Sequence, residues 1–178
     1  MKKTALLVLA VLLLVLGGCA TMFTKGGSQY RQGNRAFNDG EYAQAAALAI
    51  EALEKNPDFP EAEELLNKAF NEGTQRQEQA IAELEASENE FAYDQIYPLY
   101  EALEELHMTV GNSQYAGSFE IKSYGEQIVA AKEAAAEAHY QAGSELLQDD
   151  YFRAARAALS HFNTALSILP DYKDSATL

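Results

Sequence analysis

The chain has 178 residues, with 13 basic and 27 acidic side chains, a formal charge of −14, and a single cysteine. Such acidity argues against nucleic acid as a partner, because that binding draws on Lys and Arg neutralising phosphates, and self-repulsion helps keep the surface soluble. One cysteine cannot build a disulfide framework, so packing must stabilise the fold, and the length suffices for one domain with a sizeable core.

Lys2 and Lys3 precede an unbroken apolar run from Ala5 to Leu16, which is followed by Gly17, Gly18 and Cys19. As a helix this run would reach about 18 Å, against roughly 30 Å of hydrocarbon, so it is too short to span a bilayer. The basic start and small-residue end predict a secretory signal over residues 1–18. Leu16, Gly17, Gly18 and Cys19 resemble a bacterial lipobox. That resemblance implies cleavage before Cys19, a diacylglyceryl group on its thiol, and attachment to the bacterial cell envelope, with the outer membrane as the expected location. The covalent lipid is the only cofactor expected. Two acyl chains anchor stably where one binds only marginally. Losing residues 1–18 removes two lysines and no acids, which takes the formal charge from −14 to −16. Residues 19–28, with Gly26 and Gly27, offer little to pack and read as a tether, which leaves residues 29–178 as the folded domain.

Tyr30, Gly33 and Phe37 lie on one face at helical period, and Gly40 breaks that helix. A second helix follows, with Tyr42, Ala45, Ala46, Ala49, Ala52 and Leu53 on its buried face and Glu41, Gln44, Glu51, Glu54 and Lys55 outward. Gly33 and Ala45 would let the two axes approach closely. Pro57 ends the unit. From Pro60 a long helix is expected to about Ala86, with Ala62, Leu65, Leu66, Ala69 and Phe70 inward and Gly73 tolerated within it. Ser87 and Glu90 have capping-box spacing. Ile96, Leu99, Leu103, Leu106 and Val110 then form a buried seam, although Pro98 requires a kink or a start nearer Asp94. Gly111 to Gly117 reads as a loop, and the alanine-rich stretch from Tyr124 to Gln148 as another helix.

The opening unit recurs near the end. Gly143 precedes Phe152 by nine residues and Ala155 by twelve, as Gly33 precedes Tyr42 and Ala45, while Ala165, Leu166 and Pro170 match Ala52, Leu53 and Pro57. Ala45 to Pro57 spans twelve residues and Ala155 to Pro170 fifteen, so the second copy has a longer second helix or a wider turn. These two stretches resemble tetratricopeptide (TPR) repeats. The implied fold is all-α: a short TPR-like superhelix of about six helices in three antiparallel hairpins, the middle one degenerate. The last apolar face is left for a partner, a second subunit or residues 173–178 to cover.

Catalytic chemistry is not apparent in the sequence. His107, His139 and His161 sit in separate helices without metal-ligand spacing and read as surface or hairpin-packing residues. There is no glycine-rich phosphate loop and no GxSxG elbow. Glu61, Glu63, Glu64 and Glu101, Glu104, Glu105 read as solvated helix faces. No enzyme activity and no metal are expected. Tyr93, Tyr97 and Tyr100, followed by Tyr115, Phe119 and Tyr124, form either core or a pocket for a small ligand.

TPR relatives bind peptide segments in a groove lined by the first helix of each pair. The resemblance assigns that role here to Tyr30, Asn34, Phe37 and Asn38 in the first unit and to Tyr140, Ser144, Leu147 and Gln148 in the last. Asparagine amides can hold a peptide backbone, and the absence of basic residues at these positions favours neutral or basic segments. The expected function is that of a lipid-anchored interaction scaffold for another envelope protein or peptide segment. In outline it is similar to the TPR lipoproteins of outer-membrane assembly and of transport systems. A small-ligand carrier is the alternative.

Overall fold

A computed structural model describes residues 24–148 and 152–177. The expected signal segment and Cys19 lie outside the described residues. Among those described, the chain is all-α, with six helices packed sequentially: α1 Gly27–Asn38, α2 Tyr42–Lys55, α3 Pro60–Glu85, α4 Tyr93–Gly111, α5 Gly125–Leu146 and α6 Phe152–Ile168. A short 3-10 turn, Ala116–Ser118, interrupts the connection from α4 to α5. No helix among the described residues is long and apolar enough to cross a membrane.

The chain forms two compact units. One comprises the described residues up to Gly73 together with Thr109–Phe119, and the other comprises Thr74–Met108 with the described residues from Glu120 onward.

In the first unit α1 and α2 form an antiparallel hairpin. Gly40 turns the chain at φ 83°, a left-handed conformation that glycine adopts without steric cost. A Cβ on Gly33 would lie 2.9 Å from Leu65 Cδ2, 3.2 Å from Leu48 Cβ and 3.3 Å from the Ala45 carbonyl oxygen, so the helices approach at the positions the small residues predict. Ala45, Ala46, Ala49, Ala52 and Leu53 are buried as expected, joined by Ala36 and Ile50. The expected outward residues of α2 are exposed. The tether ends earlier than the composition suggests. Gly26 and Gly27 are buried, a Cβ on Gly26 would sit 2.5 Å from the Ala52 carbonyl oxygen, and helix α1 begins directly after it.

Helix α3 runs through Gly73 without a break, for a reason the sequence hides. The ring of Tyr42 occupies the space of a side chain there, 2.7 Å from an ideal Cβ. Ala62, Leu65, Leu66, Ala69 and Phe70 form its inward face, and Phe119 packs on Phe70 with ring centroids 4.7 Å apart.

In the second unit the Ser87–Glu90 box does not start a helix. Ser87 Oγ donates to the Leu84 carbonyl at 2.6 Å and closes α3, while Asn89 Oδ1 accepts from the Phe91 amide at 3.1 Å. Helix α4 starts at Tyr93, as Pro98 favoured, with the proline inside it. The core there comprises Ile81, Ala92, Ile96, Leu103, Tyr124 and Ala131, with Tyr93, Tyr97 and Tyr100 packed against it.

Helices α5 and α6 form the second hairpin. A Cβ on Gly143 would lie 2.8 Å from the ring of Phe162, which is 1% exposed. The repeat is registered from its proline backward, not from its glycine forward. Ala155, expected to match Ala45, is exposed, whereas Ala158, three residues on, is fully buried with Phe162 and Ala165. Helix α6 has 17 residues against 14 in α2, so the extra turn lengthens the second helix at its start.

Candidate functional site

On α1, residues 30, 34, 37 and 38 share one face by helical spacing. They line a single groove of about 270 Å³, and α3 supplies its other wall through Glu61, Glu64, Leu65 and Lys68. Tyr30 leans on Phe59 at 5.3 Å between centroids, and Phe37 meets Tyr42 edge-on at 5.6 Å, so both rings are fixed from behind. Asn34 Nδ2 donates to the Tyr30 carbonyl one turn back at 3.1 Å, which leaves its oxygen as an acceptor. Lys68, which the spacing on α1 could not reveal, reaches the groove from α3. Its ammonium sits 2.6 Å from Glu64, which holds it above its ordinary value. With Glu61 and Glu64 against one lysine, the lining carries one excess negative charge.

The four residues expected at the other end lie along the end of α5 and directly after it. Ser144 repeats the Asn34 arrangement, donating to the Tyr140 carbonyl at 2.8 Å. Tyr140, however, is engaged by the segment that follows α6. Its hydroxyl donates to Asp174 at 2.7 Å, the Lys173 ammonium lies 4.5 Å over its ring, and Tyr172 meets it edge-on at 6.2 Å. Tyr172 thus stands toward Tyr140 as Phe59 does toward Tyr30. Leu147 and Gln148 follow the last turn of α5 and are exposed. Tyr172, Lys173 and Asp174 bond to Glu137 and Tyr140, so the chain's own residues cover this part of α5. Lys173, then Tyr172 and Gln141, hold the Glu137 carboxyl down to about 2. Glu137→Gln should release Lys173 and speed tryptic cleavage after it; an unchanged rate would mean that other contacts hold the segment.

The histidines are more than packing residues. His139 Nε2 lies 3.0 Å from Asp94 Oδ2, and its Nδ1 lies 2.9 Å from His161 Nδ1, which forms an Asp–His–His chain. Phe91 stacks on both imidazoles, at 4.7 and 5.6 Å with interplanar angles of 23° and 22°. His161, Phe91, Glu90, Ala142, Glu145 and Leu146 line a second groove, of about 410 Å³. These residues come from three distant stretches, and only the true register of α5 against α6 brings His139 to His161. His107 is buried at 1% exposure, accepting from the Lys122 amide at 3.0 Å and bonded to Thr74 Oγ1 at 3.2 Å.

The central tyrosines pack. Tyr100 and Tyr124 lie 6.1 Å apart, Tyr124 donates to Glu78 at 3.0 Å, and burial followed by that bond raises its phenol. Among the described residues no group of three or more His, Cys, Asp or Glu is placed to hold a metal ion. No protein family, no curated protein and no solved structure matches the chain.

Proposed function

We propose that this chain is a lipid-anchored, TPR-like protein of the bacterial envelope that binds an extended segment of another envelope protein between α1 and α3, without catalysis of its own. One observation carries the reading: Tyr30, Asn34, Phe37 and Asn38, which the resemblance to TPR repeats assigns to a binding groove, line one groove between α1 and α3. The TPR-like part draws support from two hairpins built alike, each with a glycine at the helix crossing and an aromatic after its proline packed on a tyrosine of the first helix. In this reading α3 and α4 are the degenerate middle hairpin. The excess negative charge of the lining suits a neutral or basic segment, and the Asn34 oxygen and the exposed Asn38 amide are free to bond its backbone. Packing of the central tyrosines against the core favours this reading over a small-ligand carrier.

A photo-cross-linking side chain at Glu61, on the groove wall, tests the proposal in cells. It should join the chain to one dominant envelope protein. Asn34→Ala with Asn38→Ala should cut the yield about tenfold, since each bond contributes about 0.5–1.5 kcal/mol, with helicity unchanged. Undiminished yield would overturn the groove. Cys19→Ala should abolish fatty-acid labelling and release the chain from the membrane, and continued labelling would overturn the anchor.

A further inference from the structure

We infer that the groove beside His161 is a binding site for an alkylammonium group, carried by a free amine or by a lysine side chain. An ionised Asp94 can only accept, so the 3.0 Å contact puts a hydrogen on His139 Nε2. In a neutral ring His139 Nδ1 is then the acceptor, and the 2.9 Å contact makes His161 Nδ1 its donor. In a neutral His161 ring Nε2 is then left as a lone pair, with no partner in this chain among the described residues. Asp94 therefore orders, through a histidine only 8% exposed, a basic nitrogen on a residue that lines the groove. Phe91, stacked on both rings, fixes their plane.

The remaining lining selects the ligand. Glu90 and Glu145 add two carboxylates, and neither is paired with a cation of this chain among the described residues. Every side-chain heteroatom on the wall that is not already bonded to His139 therefore accepts, which suits a ligand rich in N–H donors and positively charged. Phe91, Ala142 and Leu146 supply apolar surface for a methylene stem, as lysine and alkylamines have. The net charge of −14 concentrates such cations near the chain. The histidine chain separates this groove from a mere pair of surface acids, because it builds a directed acceptor into the wall.

The test titrates the full chain with pentylamine and with Nα-acetyl-lysine methylamide while histidine ring signals are followed by NMR. Pentanol and the Nε-acetylated lysine are the uncharged controls. Both amines, or pentylamine alone if only a free ligand fits, should shift His161 and His139, with the controls at least severalfold weaker. Glu145→Gln should weaken the amine about two- to fivefold, the range of an exposed ion pair. His161→Asn keeps an atom at the Nδ1 position to bond His139 but removes Nε2, and should weaken binding at least as much while preserving the fold. Equal shifts from pentanol, unchanged affinity in both variants, or no response to either amine would overturn the site. No partner protein enters this experiment, so its failure leaves the α1–α3 groove untouched.

Discussion

Phe162→Ala is expected to lower the stability of the chain by about 3–5 kcal/mol, the range for removing a buried aromatic ring. Phe162 is 1% exposed, and its ring lies where a Gly143 side chain would be, 2.8 Å from an ideal Cβ. Removing the ring leaves a void that the two helix backbones, already close, cannot both collapse into. Gly143→Val alone should also destabilise, by about 1–3 kcal/mol, because it overpacks a full site. Together the two changes should be less damaging than their sum, since the valine enters the space the ring vacates, and such coupling is expected of residues in contact. Urea denaturation of the four proteins, followed by circular dichroism, measures all three quantities. Strict additivity would mean that Gly143 and Phe162 do not share one packing site.

Acidification should destabilise the chain through His107. The Lys122 amide donates to its Nδ1, so its hydrogen sits on Nε2 and is given to Thr74. A second hydrogen on Nδ1 would face a donor. Burial, then the Lys122 charge, hold this imidazole below its ordinary value. The sign follows from linkage: the unfolded chain, with an imidazole near 6.5, binds the proton more readily than the folded one. The contribution of His107 to stability is therefore complete above about pH 6.5 and declines as pH falls toward the lowered folded value. Urea midpoints measured from neutral to mildly acidic pH should fall accordingly. His107→Asn keeps an acceptor for the Lys122 amide and cannot take up the proton. It should cost about 0.5–1.5 kcal/mol at neutral pH through the lost Thr74 bond, yet show a flatter pH dependence. Parallel curves would assign the acid sensitivity elsewhere.

The contrast between the two hairpins shows what periodicity can and cannot reveal. In α1 and α2 the stripe of small residues is unambiguous, because Glu41, Gln44, Glu51 and Glu54 leave only one apolar face. In α6 the apolar residues run nearly all round its first turns, through Ala154, Ala155, Ala157, Ala158 and Leu159, so two registers fit the pattern equally. Bulk decides between them. Gly143 needs a ring opposite it, and Phe162 supplies that ring in the register that buries Ala158 in the place expected of Ala155. The same ambiguity hid the histidine chain, since Asp94, His139 and His161 become neighbours only once α5 and α6 are correctly paired. The first-unit groove was legible because all four of its α1 residues lie on one helix. Its opposite wall, Lys68 included, depended on a helix packing that no local pattern encodes.

The segment after α6 is also unusual in its backbone. Asp171 and Lys173 both hold left-handed φ, 61° and 48°, without being glycine. L-residues visit that region reluctantly and keep it only where surrounding contacts impose it. The bonds from Tyr172, Lys173 and Asp174 to Glu137 and Tyr140 are those contacts. The same few bonds thus both attach the segment to α5 and accompany its left-handed backbone, so attachment and backbone shape are coupled in one short stretch.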